Sequence, residues 1–483
     1  MNTTRKYSAR SNFGFTIASS AVAALSLAGF SVLAANLLSA DDLGLVQSVR
    51  SFAAFFVPLL TLSQALAIQR YSAFSPPAAN AISSGFGIFF ILATSCFLLL
   101  LLFSLFAQAW LSWQIVTGLL LCSLLGGARL LEASFRADFR YLGAFVVKVG
   151  SSIAILGFGL GALLVLPTAQ SSLWGLCVGG LTVNVAGFVW LASVVNFVPG
   201  SGQVKQQVWF GVGRVPAGLL KSANYTLPFV VFTASSDFES AAVFSLGILF
   251  VRSSEAMFAG VSPAVLQHSA VALMRSRESM RMKSTSDEAS LGVFIAVLLE
   301  AVLVGTAAAM VVFVYFREPI VSILFGDAYV QHATAIATLA SVMIPQAVTT
   351  TLRGAVDAVS DSPINTYVLS ASLAVQILLG CFFGGQITLL SALTYSLLVA
   401  TLISALMTLI VLRHQVWPFL SFSEFAKNSV LLLAVVLSCE LVVFCVDSRG
   451  SPFLPAFSAI MVVSYLLFFL RPRWLSKIMR KRA

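Results

Sequence analysis

Four cations lie where a chain folding in water would rarely place them. Arg50, Arg129, Lys221 and Arg252 fall inside, or at the ends of, long apolar segments. A cation in such surroundings is costly and faces a partner, a polar cavity or a headgroup layer. Arginine offers a planar fork of donors and lysine a point charge, and both suit phosphate-type anions. The chemistry implied is the capture of an anion, not the making or breaking of bonds. Gln47, Arg50, Ala54, Thr61 and Gln64 mark one polar stripe along an otherwise apolar segment. Asn224, Tyr225 and Pro228 share a helical face with Lys221, and Pro228 permits a bend. The candidate binding group is therefore Arg50, Lys221, Arg252, Gln47, Asn224 and Tyr225.

Each cation also has a plainer reading. Arg50 can snorkel to one interface and Lys221 to the other. Glu255, three residues after Arg252, can neutralise it within the helix. Arg129, with Glu132 and Arg136, reads as a solvated helix end. Glu255 and Glu300 are candidates for ion coupling, and Glu440 is a third lone acid in an apolar run; an acid merely tolerated in protonated form is the alternative. No Ser/His/Asp set, paired carboxylates, phosphate-cradling glycine loop or Walker motif stands at usable spacing. An enzyme is not expected, nor ATP hydrolysis by this chain, nor any cofactor. The three histidines have no Cys or carboxylate companions at ligand spacing, so no metal site is expected. The six cysteines sit in or beside apolar runs and imply no disulfide framework.

The elements that must position these residues follow from composition. Of 483 residues 59% are apolar and only 10% charged, with mean hydropathy +0.97. A soluble domain carries about 25% charge. The expected fold is an all-α polytopic membrane protein. Taking about 20 apolar residues per crossing gives about 14 transmembrane helices. They fall near 14–36, 44–67, 84–107, 109–131, 142–166, 172–196, 213–235, 240–263, 290–315, 332–353, 365–386, 388–412, 428–446 and 454–470. The first, although preceded by Arg5, Lys6 and Arg10, is too long for the core of a signal peptide. Lys and Arg crowd the tails and alternate loops, and only Arg317 and Arg449 fall in the opposite set. Retained loops are Lys/Arg-rich, so both termini are expected in the cytoplasm. The net charge of +10 then suits an anionic lipid surface, not nucleic acid.

The Pro199-Gly200-Ser201-Gly202 turn divides the first six spans from the rest. A weak repeat supports this: Asp41-Asp42-Leu43-Gly44 opens the second span and Asp237-Phe238-Glu239 the eighth. The expected organisation is an N-terminal lobe over 1–197, a cytoplasmic linker over 198–212 and a second six-helix lobe over 213–412. Two extra helices and a basic tail fill 413–483. Parallel repeats place a substrate site at the lobe interface. The pairs Gly175/Gly179 and Gly380/Gly384 read as helix-packing positions.

Three stretches carry a family resemblance. They are the hairpin Ala35–Gly44 continuing through Arg50 to Gln69-Arg70-Tyr71, the run Asp237–Gly247 reaching Pro263, and the turn Ile323-Leu324-Phe325-Gly326-Asp327-Ala328-Tyr329. With them the chain resembles the polysaccharide (Wzx-type) flippases of the multidrug/oligosaccharidyl-lipid/polysaccharide exporter superfamily. That resemblance implies movement of a polyprenyl-pyrophosphate-linked oligosaccharide from the inner to the outer leaflet of the cell inner membrane. It implies membrane lipids, a polysaccharide polymerase and chain-length machinery as partners, and a monomer. A lipid II-type flippase remains open within the superfamily. So does a cation-coupled multidrug antiporter, although span 14–36 lacks the carboxylates it would need. A membrane polymerase or ligase, from a different class, would need a larger outward loop with Arg or His clusters.

Overall fold

The computed structural model describes residues 9–74, 78–106, 113–138, 140–196, 204–259, 299, 302–303, 305–359 and 364–416. Among these the chain is helical almost throughout, because a backbone surrounded by lipid must satisfy its own hydrogen bonds. It divides into two compact units, Met1–Ser245 and Leu246–Ala483.

The first unit holds α1 (Ala9–Leu37), α2 (Ala40–Leu60), α3 (Gln64–Phe74), α4 (Ala78–Phe106), α5 (Trp113–Ala137), α6 (Tyr141–Val165), α7 (Ala169–Val194) and α8 (Val204–Ala234). The helix α9 (Phe238–Ala259) runs across the boundary between the units. Side-chain caps set several starts. Ser39 Oγ accepts from the Asp42 amide at 3.2 Å, and Asp41 and Asp42 complement the first turn of α2. Asp237 Oδ1 accepts from the Ser240 amide at 3.0 Å, so the two matching acidic turns of the sequence are both helix starts. Within this unit α6 packs on α1 and α7, α5 on α2 and α7, and α8 on α2, α3 and α4. Leu25, Ile153, Leu181 and Val185 are exposed, as the lipid face of a membrane bundle requires.

The second unit holds α10 (Gly305–Tyr315), α11 (Arg317–Phe325), a 3-10 turn (Asp327–His332), α12 (Ala333–Ser341), α13 (Met343–Val359), α14 (Ile364–Phe383) and α15 (Leu389–Val416). Here α15 packs against α12, α13 and α14. The Phe325-Gly326 turn explains its own composition: Gly326 has φ 90° and ψ 163°, a conformation closed to side-chain-bearing residues.

Ten helices among the described residues are long and apolar enough to cross a membrane, or eleven if α10 and α11 form one span bent by 87°. The helix α8 occupies a further expected span but carries Lys205, Arg214 and Lys221 and is not among them. The last two expected spans lie outside the described residues. Two expected boundaries move. The second span is not one helix: α2 ends at Leu60, and Leu62 and Ser63 take φ values of 43° and 51° before α3 begins. The start of α8 at Val204 makes helix of residues expected as linker.

Candidate functional site

The polar faces of α2 and α8 meet in the first unit. A Cβ on Gly211 would collide with the Leu62 carbonyl oxygen, and one on Gly218 would lie 2.8 Å from Pro58 Cβ. Higher on α8, Thr226 Oγ1 donates to the Ser51 carbonyl at 3.2 Å. Numbers rise along α8 as they fall along α2, so the two helices run antiparallel. This pairing brings Gln47 and Arg50 within about two helical turns of Asn224 and Tyr225 along the axis. Lys221 lies about one turn below Asn224. Gln47, Asn224 and Tyr225 are buried, while Arg50 and Lys221 are half-buried.

Gln47 and Phe30 are among the contacts that hold Arg50. Its Nη1 donates to Gln47 Oε1 at 3.3 Å, and its Cζ stands 4.9 Å from the ring centroid of Phe30 on α1. An aromatic face stabilises a guanidinium, and the glutamine fixes one edge of the fork. Arg252 and Glu255 are both half-buried on α9, in the second unit, and Glu300 lies outside the described residues. Five of the expected site residues therefore lie on α2 and α8, a packed pair in the first unit, and Arg252 belongs to the other unit.

Below Arg50 the pair becomes a buried polar seam. Gln64 Nε2 donates to the Gln207 carbonyl at 3.4 Å and to the Leu62 carbonyl at 3.3 Å. Gln207 Nε2 donates to the Ala81 carbonyl at 3.3 Å. Both glutamines are fully buried, and neither Oε1 has a hydrogen-bond donor. Nearer the end of α3, Tyr71 Oη donates to the Gln206 carbonyl at 3.3 Å and Tyr71 packs edge-on against Phe210. Gln64 belongs to the polar stripe of the sequence, but Gln207 reads there as part of a polar linker and gives no signal.

Two further cations depart from expectation. Lys148, grouped by sequence with the loop charges Arg136 and Arg140, falls within the span expected at 142–166. It stands inside α6, where Nζ donates to Ser20 Oγ at 2.7 Å and lies 4.0 Å from Glu132 Oε1. Arg136 Nη2 meets the same carboxylate oxygen at 2.6 Å, so Glu132 joins α5 to α6 and is more than a solvated end. Arg129 itself is exposed. Arg317, expected in an open loop, is only 6% exposed and begins α11 at the sharp bend after α10. Among the described residues no group of three or more His, Cys, Asp or Glu could hold a metal ion. An open groove of ≈ 950 Å³ along α6 and α7 is lined by Gly150, Gly157, Phe158, Trp174 and other mostly apolar residues, and offers an anion nothing to bind.

No family model matches the chain, and neither does any curated protein sequence. Solved structures do match. The lipid II flippase MurJ in an inward closed conformation superposes with a TM-score of 0.59 at 13% identity, over 89% of this chain and 97% of that one. A multidrug resistance MATE family transporter in its outward-facing conformation gives 0.57 at 15% identity, over 88% and 96%. The MATE multidrug transporter DinF-BH gives 0.57 at 15%, over 85% and 96%. At these identities the likeness shows the fold, and the chain has the polytopic helical fold of the MurJ and MATE transporters.

Proposed function

We propose that this chain is a flippase that moves polyprenyl-pyrophosphate-linked oligosaccharide from the inner to the outer leaflet of the cytoplasmic membrane by alternating access. The product would feed a cell-surface polysaccharide such as O-antigen, capsule or exopolysaccharide. The observation that carries this reading is Arg50, a half-buried cation braced by Gln47 on its own helix and by the Phe30 ring on α1. The physical problem is to carry a polar sugar and a roughly doubly charged pyrophosphate past hydrocarbon, where unpaired charge is very costly. Arg50, Lys221 and Arg252 are the cations proposed for the phosphates, with Gln47, Asn224 and Tyr225 as the proposed hydrogen-bonding groups. The polyprenyl tail stays in the bilayer throughout. An inside-negative potential assists export of an anion by about 2.3 kcal/mol per charge per 100 mV, hence about 4–5 kcal/mol for two charges. Glu255 and Glu300 are the acids proposed to couple a proton or sodium ion to the reset step. The two lobes proposed to rock are those divided at residues 198–212.

A lipid II-type flippase faces the same pyrophosphate and is the second reading, favoured by the likeness to MurJ. A cation-coupled multidrug antiporter fits less well, because α1 contains no acidic residue to bind a cationic drug. The test is Arg50→Ala combined with Arg252→Ala in proteoliposomes loaded with a fluorescent polyprenyl-pyrophosphate oligosaccharide. Translocation should fall at least about tenfold with the protein still in the membrane, the loss of one charge-assisted contact alone being worth about that factor. Unchanged translocation would sink the proposal. Running lipid II beside the oligosaccharide separates the two readings by which substrate moves.

A further inference from the structure

We infer that Phe30 is a positioning residue for Arg50, and that Gly159 on α6 sets where the Phe30 ring stands. The inference rests on the anion-binding reading of Arg50 given above.

Phe30 is fully buried on α1, and the Arg50 guanidinium carbon lies 4.9 Å from its ring centroid. On the other side the ring is pressed by the backbone of α6. A Cβ on Gly159 would stand 2.8 Å from Phe30 Cε2 and 2.9 Å from Leu176 Cδ2. The ring therefore occupies space that only glycine leaves open. The place of the ring on α1, and with it that of one guanidinium on α2, thus depends on α6, which never touches a substrate in this scheme. Arginine has a long, flexible stem and would otherwise bend toward the nearest water. The Phe30 face attracts the cation while Gln47 Oε1 accepts from Nη1, and together these contacts restrict where the fork can lie. A fork fixed in advance binds a phosphate with less loss of side-chain freedom. Phe30 should therefore act on affinity and not on the rate of turnover.

The experiment uses the full-length protein in nanodiscs with farnesyl pyrophosphate as probe, read by calorimetry, and the flippase assay for KM and kcat. Phe30→Leu keeps the apolar volume but removes the ring; it should weaken binding about five- to thirtyfold, the range of a desolvated cation–π contact, and raise KM with kcat unchanged. Phe30→Tyr should restore affinity to within about twofold of wild type, because the ring face is kept. Gly159→Ala, which touches no substrate, should displace the ring and weaken binding by a smaller factor, and it remains informative if Phe30→Leu fails to fold. Wild-type affinity in both Phe30→Leu and Gly159→Ala, beside lost binding in Arg50→Ala, overturns the inference and leaves the functional reading standing. Tyrosine performing as poorly as leucine also overturns it, since that marks a packing role. Wild-type affinity in Arg50→Ala overturns both.

Discussion

Within the first unit α6 meets α7, and α2 meets α8, through the same device. Gly175 and Gly179 on α7 leave room for the backbone of α6: a Cβ at either would stand 2.5 Å from the Phe158 carbonyl oxygen or 2.7 Å from that of Ala154. Gly211 and Gly218 on α8 do the same for Leu62 and Pro58. The surroundings differ. Around the α6–α7 contact lie Leu176, Phe158 and Ala162, and the groove beside it is apolar. Between α2–α3 and α8 lie Gln64, Gln207 and Thr226. Close approach of small residues is how helices associate in lipid, where the hydrophobic effect gives little help. In the first pair that approach is left dry, and in the second it brings polar groups together at membrane depth. One contact is lined by apolar side chains, and the other carries buried amides and a hydroxyl.

Substitutions can break this contrast. Gly175→Leu should be the most damaging, because its side chain meets a backbone carbonyl that cannot yield; overpacking of this kind costs about 3 kcal/mol or more. The amount of folded protein extracted from membranes measures it, and a normal yield would show that α6 and α7 can separate freely. Gln64→Leu combined with Gln207→Leu should act in the opposite direction. Two acceptors buried without donors disappear, so the thermal midpoint should rise by the equivalent of about 1 kcal/mol or stay level. A fall of several degrees would mean that the amides contribute more through their donated bonds than their oxygens cost. Thr226→Val should have the smallest effect, about 0.5–1 kcal/mol, since the Ser51 carbonyl loses only one neutral donor. Chemical denaturation of the purified protein would detect it, and a larger loss would mean that this bond, more than the glycines, joins the upper halves of α2 and α8.

Much of this is legible in the chain. Among the described residues the apolar runs become helices at nearly every expected place, and the two acidic turns mark helix starts that carry Ser39 and Asp237 caps. Of the stripe expected along the second span, Gln47 and Arg50 meet on α2, while Thr61 turns toward α5 and Gln64 toward α8. What stays hidden is the break within that span. Leu62 and Ser63 are poor choices for left-handed backbone, and no glycine advertises the turn. The room for its Leu62 carbonyl is left by Gly211, far along the sequence. The partners of Lys148 stay hidden for a related reason: Ser20 and Glu132 lie on other helices, which local spacing cannot reveal. Phe30 is one phenylalanine among forty, and only the structure puts a guanidinium over it.

The left-handed pair at the foot of α2 has a mechanical side. Each such residue stands roughly 1–2 kcal/mol above the right-handed helix, so the chain itself would favour joining α2 and α3 into one rod. Local bonds hold it bent: the Leu62 amide donates to the Leu59 carbonyl at 3.1 Å and the Ser63 amide to the Pro58 carbonyl at 3.2 Å. Gly211 of α8 leaves the Leu62 carbonyl the room it fills. The elbow and the helix beside it are therefore shaped to each other, and a side chain at position 211 would force one of them to shift.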